Sequence, residues 1–399
     1  MTEVDAPWLR AGEVRAVLAA LEAGGSPARF VGGCVRDALI RQDAGDLDLA
    51  TPERPERIME LLAAARIRAI PTGLSHGTVT ALSGERRLEI TTLRRDVATD
   101  GRHAEVEFTS DFDADAARRD FTINAMSCDG SGRLHDPIGG RADLAAGRVR
   151  FVGDARRRIA EDYLRILRFF RFHARYGRGP ADPEALAACA ELAHGIDRLS
   201  GERIRQELWR ILAGPEAAST LRLMQVTGVL DRAVSALASV GALERLVARH
   251  PEADALLRLA ALIREAPEAE AVLLAGRLRL ANAERDRLLA LVRAPLPDLA
   301  GGPPAMRQAI YELGPGLFGD LVRLGGGDQA RAALDLAHSW QPPRLPLRGD
   351  DLLARGVPSG PAVGRLLAAV ERDWRRSDFA LDRAACLSRL DRLLAGTGA

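Results

Sequence analysis

The chain has 399 residues, too many for one ordinary hydrophobic core, so two or three domains are expected. Hydrophobic residues make up 47% and charged residues 28%, with a formal net charge of +1; this is a soluble globular profile, and no global basic field announces a polyanionic partner. The sequence contains no lysine, so all 56 side chains of the Lys+Arg class are arginine, and any such cationic contact to a phosphate must come from a planar, bidentate donor.

Residues 28–32 read as a strand that runs into the turn Val31-Gly32-Gly33, followed by Cys34-Val35-Arg36-Asp37 on a short helix. A Gly-Gly turn lets backbone N–H groups approach an anion closely. Residues 47–50 form the next strand, within Asp46-Leu47-Asp48-Leu49. Carboxylates two apart on a strand point to the same side, and oxygen ligands that close together suit Mg²⁺. Alone, a Gly-Gly pair is a turn and an Asp-x-Asp a solvated surface pair; in this order they describe a nucleotidyl-transfer site.

Residues 55–65 have helical periodicity, with Pro55 suited to the first turn. Residues 78–82 and 88–93 read as a hairpin through Ser83-Gly84. Glu89 on the second strand has the pattern of a solvent-facing residue, yet beside Asp46 and Asp48 it is the natural third carboxylate for a two-metal reaction. Residues 94–110, with mixed charge and one glycine, read as a long mobile loop. Arg118-Arg119-Asp120-Phe121-Thr122 follows, where Asp120 or Thr122 can cap a helix and the paired arginines can bind an anion.

Beyond Val152 almost everything has helical periodicity. Residues 161–172 are expected on one helix, which puts Asp162 and Arg165 within reach of one ligand and strings Arg165, Arg168 and Arg171 along a slowly drifting face. Tyr163, Phe169, Phe170 and Phe172 crowd that stripe, so its arginines are expected to be partly buried and to need anionic partners, which a nucleotide would supply. The expected organisation is α+β: a mixed-sheet head at 1–150, a helical neck at 151–212, and a helical body and tail at 213–399.

Cys34, Cys128, Cys189 and Cys386 are far apart and suggest neither a zinc site nor a disulfide framework, which fits a reducing cytoplasm. The start, Met1-Thr2-Glu3-Val4-Asp5, has no apolar core of a signal peptide. No apolar run approaches membrane-spanning length, so no membrane partner is expected.

Taken together, these segments resemble the class II tRNA nucleotidyltransferases, the CCA-adding enzymes, and their bacterial poly(A) polymerase relatives. The resemblance runs in order through Gly32-Gly33-Cys34-Val35-Arg36-Asp37, Asp46-Leu47-Asp48, Asp100-Gly101-Arg102, Arg118 to Ala125, Asp136-Pro137-Ile138-Gly139-Gly140, Glu161 to Arg168 and Glu202 to Leu208, covering about residues 28–210. Cys34 and Tyr163 stand where the family often has Ala and Pro.

The resemblance implies a polymerase-β-like head and roles residue by residue. Asp46 and Asp48 would hold Mg²⁺, with Glu89 less certain. Gly33 and Arg36 would meet the triphosphate of CTP or ATP, Asp37 would fix Arg36, and Arg119 would add a further nucleotide contact. Asp162 and Arg165 would read the base, with Arg168 and Arg171 completing the pocket and Glu161 and the 202–208 helix as scaffold. The partner implied is tRNA, held by its acceptor arm and extended at its 3′ end; oligomeric state is not implied. Within the family the alternatives are A-adding, CC-adding or poly(A) polymerase activity, and outside it a non-catalytic RNA-binding protein. The loop with Asp100-Gly101-Arg102 favours full CCA addition, and the intact Asp-x-Asp disfavours a decayed enzyme. No His-Asp phosphohydrolase motif is recognisable in the tail, so no phosphatase activity is expected.

Overall fold

Strand residues alternate faces, and this chain uses the alternation to separate apolar from acidic side chains. The computed structural model describes residues 3–43, 45–74, 77–99 and 104–396. The chain groups into two compact units, 1–235 with 277–279, and 236–276 with 280–399.

The first unit carries β1 (Arg29–Val31), β2 (Leu47–Thr51), β3 (Arg68–Gly73), β4 (Thr78–Ser83), β5 (Arg86–Thr92), β6 (Arg94–Thr99), β7 (Ala104–Phe108), β8 (Ser127–Cys128) and β9 (Leu134–His135). Seven of them form one sheet in the order β3-β4-β5-β2-β1-β8-β9. Within it β2 and β5 run parallel and the other neighbours antiparallel. Leu47 and Leu49 of β2, and Leu88 and Ile90 of β5, are buried in the core. The alternate positions therefore face the other side, and the parallel register sets Asp48 directly beside Glu89.

The helices of this unit are α1 (Gly12–Glu22), α2 (Gly33–Leu39), α3 (Pro55–Ala64), α4 (Phe112–Ala117), α5 (Gly140–Ala146), α6 (Ala155–Glu161), α7 (Leu164–Tyr176), α8 (Pro183–Glu191), α9 (Gly201–Ala213), α10 (Ala217–Val226) and α11 (Val229–Val234). Helices α1 and α3 pack on each other and on β4, through buried Val14, Leu18, Leu21, Ile58 and Leu62. An aromatic cluster ties α7 to the segment after α4. Phe121 lies 5.0 Å from both Phe151 and Phe172 and 6.4 Å from Phe169, ring centroid to centroid. This cluster crosses residue 150, so the expected head and neck share one unit.

Several expected elements are present: the strand at β1, the helix from Pro55, and the hairpin of β4 and β5, whose Gly84 turns at φ +59°. Two segments differ from expectation. The 94–110 stretch is not a plain loop, because β6 and β7 pair antiparallel as a separate ribbon, with Arg95 opposite Glu107 and their side chains 2.8 Å apart. Asp100, Gly101 and Arg102 lie outside the described residues. The 161–172 stretch is not one helix either: α6 ends at Glu161, Asp162 is extended at φ −156°, and α7 begins at Leu164.

The second unit consists of α12 (Val240–Arg249), α13 (Ala255–Ile263), most of α14 (Glu268–Arg277), α15 (Asn282–Arg293), α16 (Gly302–Leu313), α17 (Pro315–Gly325), α18 (Ala330–Ser339), α19 (Gly349–Leu353), α20 (Pro361–Arg376) and α21 (Arg383–Gly396). Among its cores, one gathers Met306, Ile310, Phe318 and Val322, and another gathers Leu352, Val370, Trp374 and Leu390. No described helix is long and apolar enough to cross a membrane.

Candidate active site

Three carboxylates share one face of the sheet. Asp46 sits immediately before β2, Asp48 within it, and Glu89 beside Asp48 on β5. Asp48 is partly buried, while Asp46 and Glu89 are exposed. The Asp48 carboxyl is pushed up to about 6, first by burial and then by the Glu89 carboxylate, against the pull of Arg119, with Asp46 adding a smaller push. Asp48 and Glu89 line a cavity of about 310 Å³ together with Val31, Arg94, Arg118 and Arg119. Among the described residues, no group of three or more His, Cys, Asp or Glu side chains is gathered to hold a metal ion. The three carboxylates therefore share a face without converging as one ligand set.

Beside them is the glycine turn. Gly32 has φ +71° and ψ −122°, which an L side chain rarely adopts, and its N–H donates to the Met126 carbonyl at 3.2 Å. A Cβ there would stand 2.8 Å from an Arg119 Nη, so the bare turn is what lets that guanidinium lie against it. Arg119 also donates to Asp115 at 3.2 Å and to the Asn124 carbonyl at 3.4 Å. Burial, the largest influence on Asp115, would raise its pKa, but Arg118 and Arg119 together hold it below the usual range.

Arg36 is buried in α2. Asp37 accepts its Nε at 2.8 Å and its Nη2 at 3.0 Å, and the Asn124 carboxamide oxygen accepts its Nη1. Its guanidinium lies 4.2 Å from the Tyr176 ring centroid, and the Tyr176 hydroxyl donates to Asp37 at 3.0 Å. Asp37 thus holds Arg36, as the family resemblance implies, while Asn124 and Tyr176 complete the clamp. Gly33 opens α2 directly behind the turn.

The residues expected to read the base are placed differently from expectation. Asp162 and Arg165 flank a helix break; the Arg165 N–H donates to the Asp162 carbonyl at 3.0 Å, while their side chains take other partners. Asp162 accepts the Leu164 N–H at 3.1 Å and an Arg203 Nη from α9 at 2.7 Å. Arg165 donates to Glu161 and to the carbonyls of Arg158 and Arg118. Arg168 donates to Asp120, and Arg171 to Glu207. The partly buried arginines of α7 therefore take their anionic partners from the chain itself and do not await a nucleotide. Burial, the largest influence on both, lowers the pKa of Arg171, whereas Asp120 and Glu207 turn that of Arg168 upward.

Sequence reasoning assigns no role to Asp115, Asn124 or Tyr176, and places Glu207 only within the scaffold helix 202–208. Tyr176 carries no local signal, because Asp37 lies 139 residues away, whereas Asp115 pairs with Arg118 and Arg119 three and four residues on, a spacing that the sequence itself displays. Asn124 and Glu207 sat inside noticed motifs, and only the contacts assign them. The Asp136 to Gly140 motif is architectural: Asp136 accepts the Gly140 N–H at 2.8 Å and the Arg141 N–H at 3.0 Å, and a Cβ on Gly140 would stand 2.1 Å from the Thr122 carbonyl oxygen.

A mixed sheet that presents acidic residues from adjacent parallel strands, next to a glycine turn overlain by an arginine, is the head of a nucleotidyltransferase. The Poly A polymerase head domain family matches residues 28–150, and a family described as the probable RNA and SrmB-binding site of polymerase A matches residues 181–240. The mitochondrial CCA tRNA nucleotidyltransferase 1 of Danio rerio is 37% identical over 377 residues, covering 91% of this chain and 86% of the relative. The Homo sapiens protein of the same name is 37% identical over 374 residues, covering 90% and 85%. The crystal structure of the Bacillus stearothermophilus CCA-adding enzyme in complex with CTP superposes with a TM-score of 0.69 at 25% identity, covering 98% of this chain and 99% of that one. The chain belongs to the CCA tRNA nucleotidyltransferase family.

Proposed function

We infer that this chain completes or repairs the 3′-terminal CCA of tRNA from CTP and ATP without a nucleic-acid template. The observation that carries the reading is the pairing of Asp48 with Glu89 across parallel strands, with Asp48 on the strand next to β1, which runs into the Arg119-covered Gly32-Gly33 corner. The tRNA 3′-hydroxyl attacks the nucleotide α-phosphate, and pyrophosphate leaves.

The donor set fits a hard divalent cation. The acidic side chains supply only carboxylate oxygens, and the Asp48 carboxyl is pushed up to about 6 by burial first and by the Glu89 carboxylate second, so its charged form gains from a cation. Asp46 and Asp48 would hold Mg²⁺, which needs only one or two protein carboxylates, with Glu89 as a third carboxylate beside them. In a two-metal reaction the bound cations would lower the pKa of the attacking hydroxyl and neutralise charge on the departing phosphate.

The chain's own residues do the binding. The backbone at Gly33, Arg36 and Arg119 meet the triphosphate, with Asp37 and Asn124 keeping Arg36 in place. Asp162 accepts from the exocyclic amino group of C or A, and Arg165 donates to the neighbouring ring nitrogen, within a pocket that Arg168 and Arg171 complete. U and G present a carbonyl where the carboxylate needs a donor, and two facing acceptors leave buried groups unpaired. The division of labour follows the chain: head 1–150 for chemistry, neck 151–212 for the base, body and tail 213–399 for the tRNA acceptor arm, whose A-form helix is held by phosphate and shape contacts. The four cysteines are unpaired and buried, which supports a reducing, cytoplasmic setting.

The test is extension of tRNAs ending before C, before the second C and before A, with each nucleotide singly and together. Addition of two C and one A, stopping there, is the expected result. Addition of A alone, C alone or a long A tail would replace this reading with a narrower or wider specificity.

A further inference from the structure

The chemistry described above leaves one arginine out. Arg158, on α6, is nearly buried, with 14% of its side-chain surface exposed. Its guanidinium is spread over four acceptors. Nη2 donates to the Ala117 carbonyl at 2.8 Å, Nη1 to the Arg118 carbonyl at 3.2 Å and to Glu161 at 2.8 Å, and Nε to the Val152 carbonyl at 3.3 Å. Ala117 is the last residue of α4 and Arg118 its C-cap. The final carbonyls of a helix have no partner within it, and a cation there is favourable. Arg158 therefore holds the end of α4 from the side of the base-reading segment.

The next residue along is Arg119, whose guanidinium lies against Gly32 and borders the Asp48 cavity. Arg165 shares two of the same acceptors, Glu161 and the Arg118 carbonyl, so the α6–α7 break and the Arg118-Arg119 corner are tied by a common set of hydrogen bonds.

We propose that Arg158 is a positioning residue for nucleotide binding: by fixing the carbonyls of Ala117 and Arg118 it sets where Arg119 presents its guanidinium to the triphosphate. This rests on the reading of Arg119 as a triphosphate contact. The fork matters as well as the charge, because a lysine is a point donor and cannot span Ala117, Arg118 and Glu161 in one plane. Since the triphosphate is common to CTP and ATP, loss of Arg158 weakens both nucleotides alike and leaves the choice of base untouched.

The experiment compares Arg158→Met and Arg158→Lys with the parent protein, each also in an Arg119→Ala background. CTP binding to the tRNA-free protein is measured by calorimetry in Mg²⁺ buffer, and KM and kcat are measured on a tRNA lacking CCA. Arg158→Met should weaken CTP binding about tenfold and raise KM for CTP and ATP to the same extent, with kcat within about twofold. Arg158→Lys should recover only part of the loss. In the Arg119→Ala background the Arg158 effect should disappear, since residues acting through one another are not additive. A lowered melting temperature with unchanged CTP affinity would reduce Arg158 to a structural bond and overturn the proposal. So would an undiminished effect without Arg119, or a change in the preference for CTP over UTP. Calorimetry needs no turnover, so a parent protein that binds CTP yet extends no tRNA would defeat the CCA reading and leave this inference standing.

Discussion

The carboxylate face of the sheet and the arginine cluster of the neck are electrostatic opposites, and the difference lies in how complete each is. In the neck, charges are answered within the chain: Arg165 by Glu161, Arg168 by Asp120, Arg171 by Glu207, and Asp162 by Arg203. On the sheet, burial first and then the Glu89 and Asp46 carboxylates, against the pull of Arg119, push the Asp48 carboxyl up to about 6. A site short of positive charge gains from taking up a cation. A saturated site gains nothing from charge alone, so a base entering it must exchange partners with the residues already there. On the proposed reading, the head recruits and the neck discriminates.

The largest expected effect tests the recruiting side. Asp46→Ala or Asp48→Ala should reduce single-turnover extension by at least about a thousandfold, some 4 kcal/mol of transition-state stabilisation. tRNA retention on filters should stay near normal. Near-parental turnover of both variants in Mg²⁺ would remove the metal assignment and leave the sheet face without a function.

Next in size is a test of completeness in the neck. Glu207 is 2% exposed and receives Arg171, with Arg210 at 3.5 Å and Arg168 at 3.9 Å. Glu207→Gln keeps the shape but leaves Arg171 charged and unanswered, a change of about 3–5 kcal/mol where a buried pair is broken. Urea midpoints should fall accordingly. An unchanged midpoint would mean that solvent already screens the cluster, and the contrast between the two regions would weaken.

Smaller again is the effect on specificity. Asp162→Ala and Arg165→Ala should each lower the preference for CTP and ATP over UTP and GTP, by about 1–3 kcal/mol for a lost polar match. Competition assays with all four nucleotides read this directly. Because Asp162 is held by Arg203, Arg203→Ala should relax specificity in the same direction. Unchanged selectivity in all three would reduce these residues to fasteners between α7 and α9.

What the sequence made legible follows from the range of each interaction. The strand alternation around Asp46 and Asp48, the glycine corner and the hairpin at Gly84 are local, so residues two to four apart suffice to read them. The ribbon of β6 and β7 was missed because its mixed-charge residues lack an apolar alternation, and its strands answer mainly each other. The helix break at Asp162 was missed because Tyr163 stands where a proline would have announced it. The partners of Arg168 and Arg171 lie 48 and 36 residues away, so the sequence showed arginines needing anions without showing which anions.

The smallest expected effect is also the most direct measure of incompleteness on the sheet. The folded-state pKa of Asp48 is raised from the usual 3.8 to about 6. The folded chain therefore binds a proton there more tightly than the unfolded chain, and the favourable contribution is fully present below about 4 and lost as pH rises through about 6. The shift corresponds to at most about 3 kcal/mol, and partial solvent screening brings it to about 1–2 kcal/mol. In chelator, the parent protein should lose that much stability between pH 4 and 7 relative to Asp48→Asn, which cannot titrate there. Near pH 7 Asp48→Asn should thus be the more stable protein although it is inactive, and near pH 4 the two should converge. Adding Mg²⁺ should restore the parent at pH 7 and do little for the variant, since only the carboxylate is a strong ligand for it. Thermal melts across pH, with and without Mg²⁺, decide it. Parallel curves for the two proteins would show that neither burial nor Glu89 raises Asp48, and the contrast between the sheet face and the neck would lose its foundation.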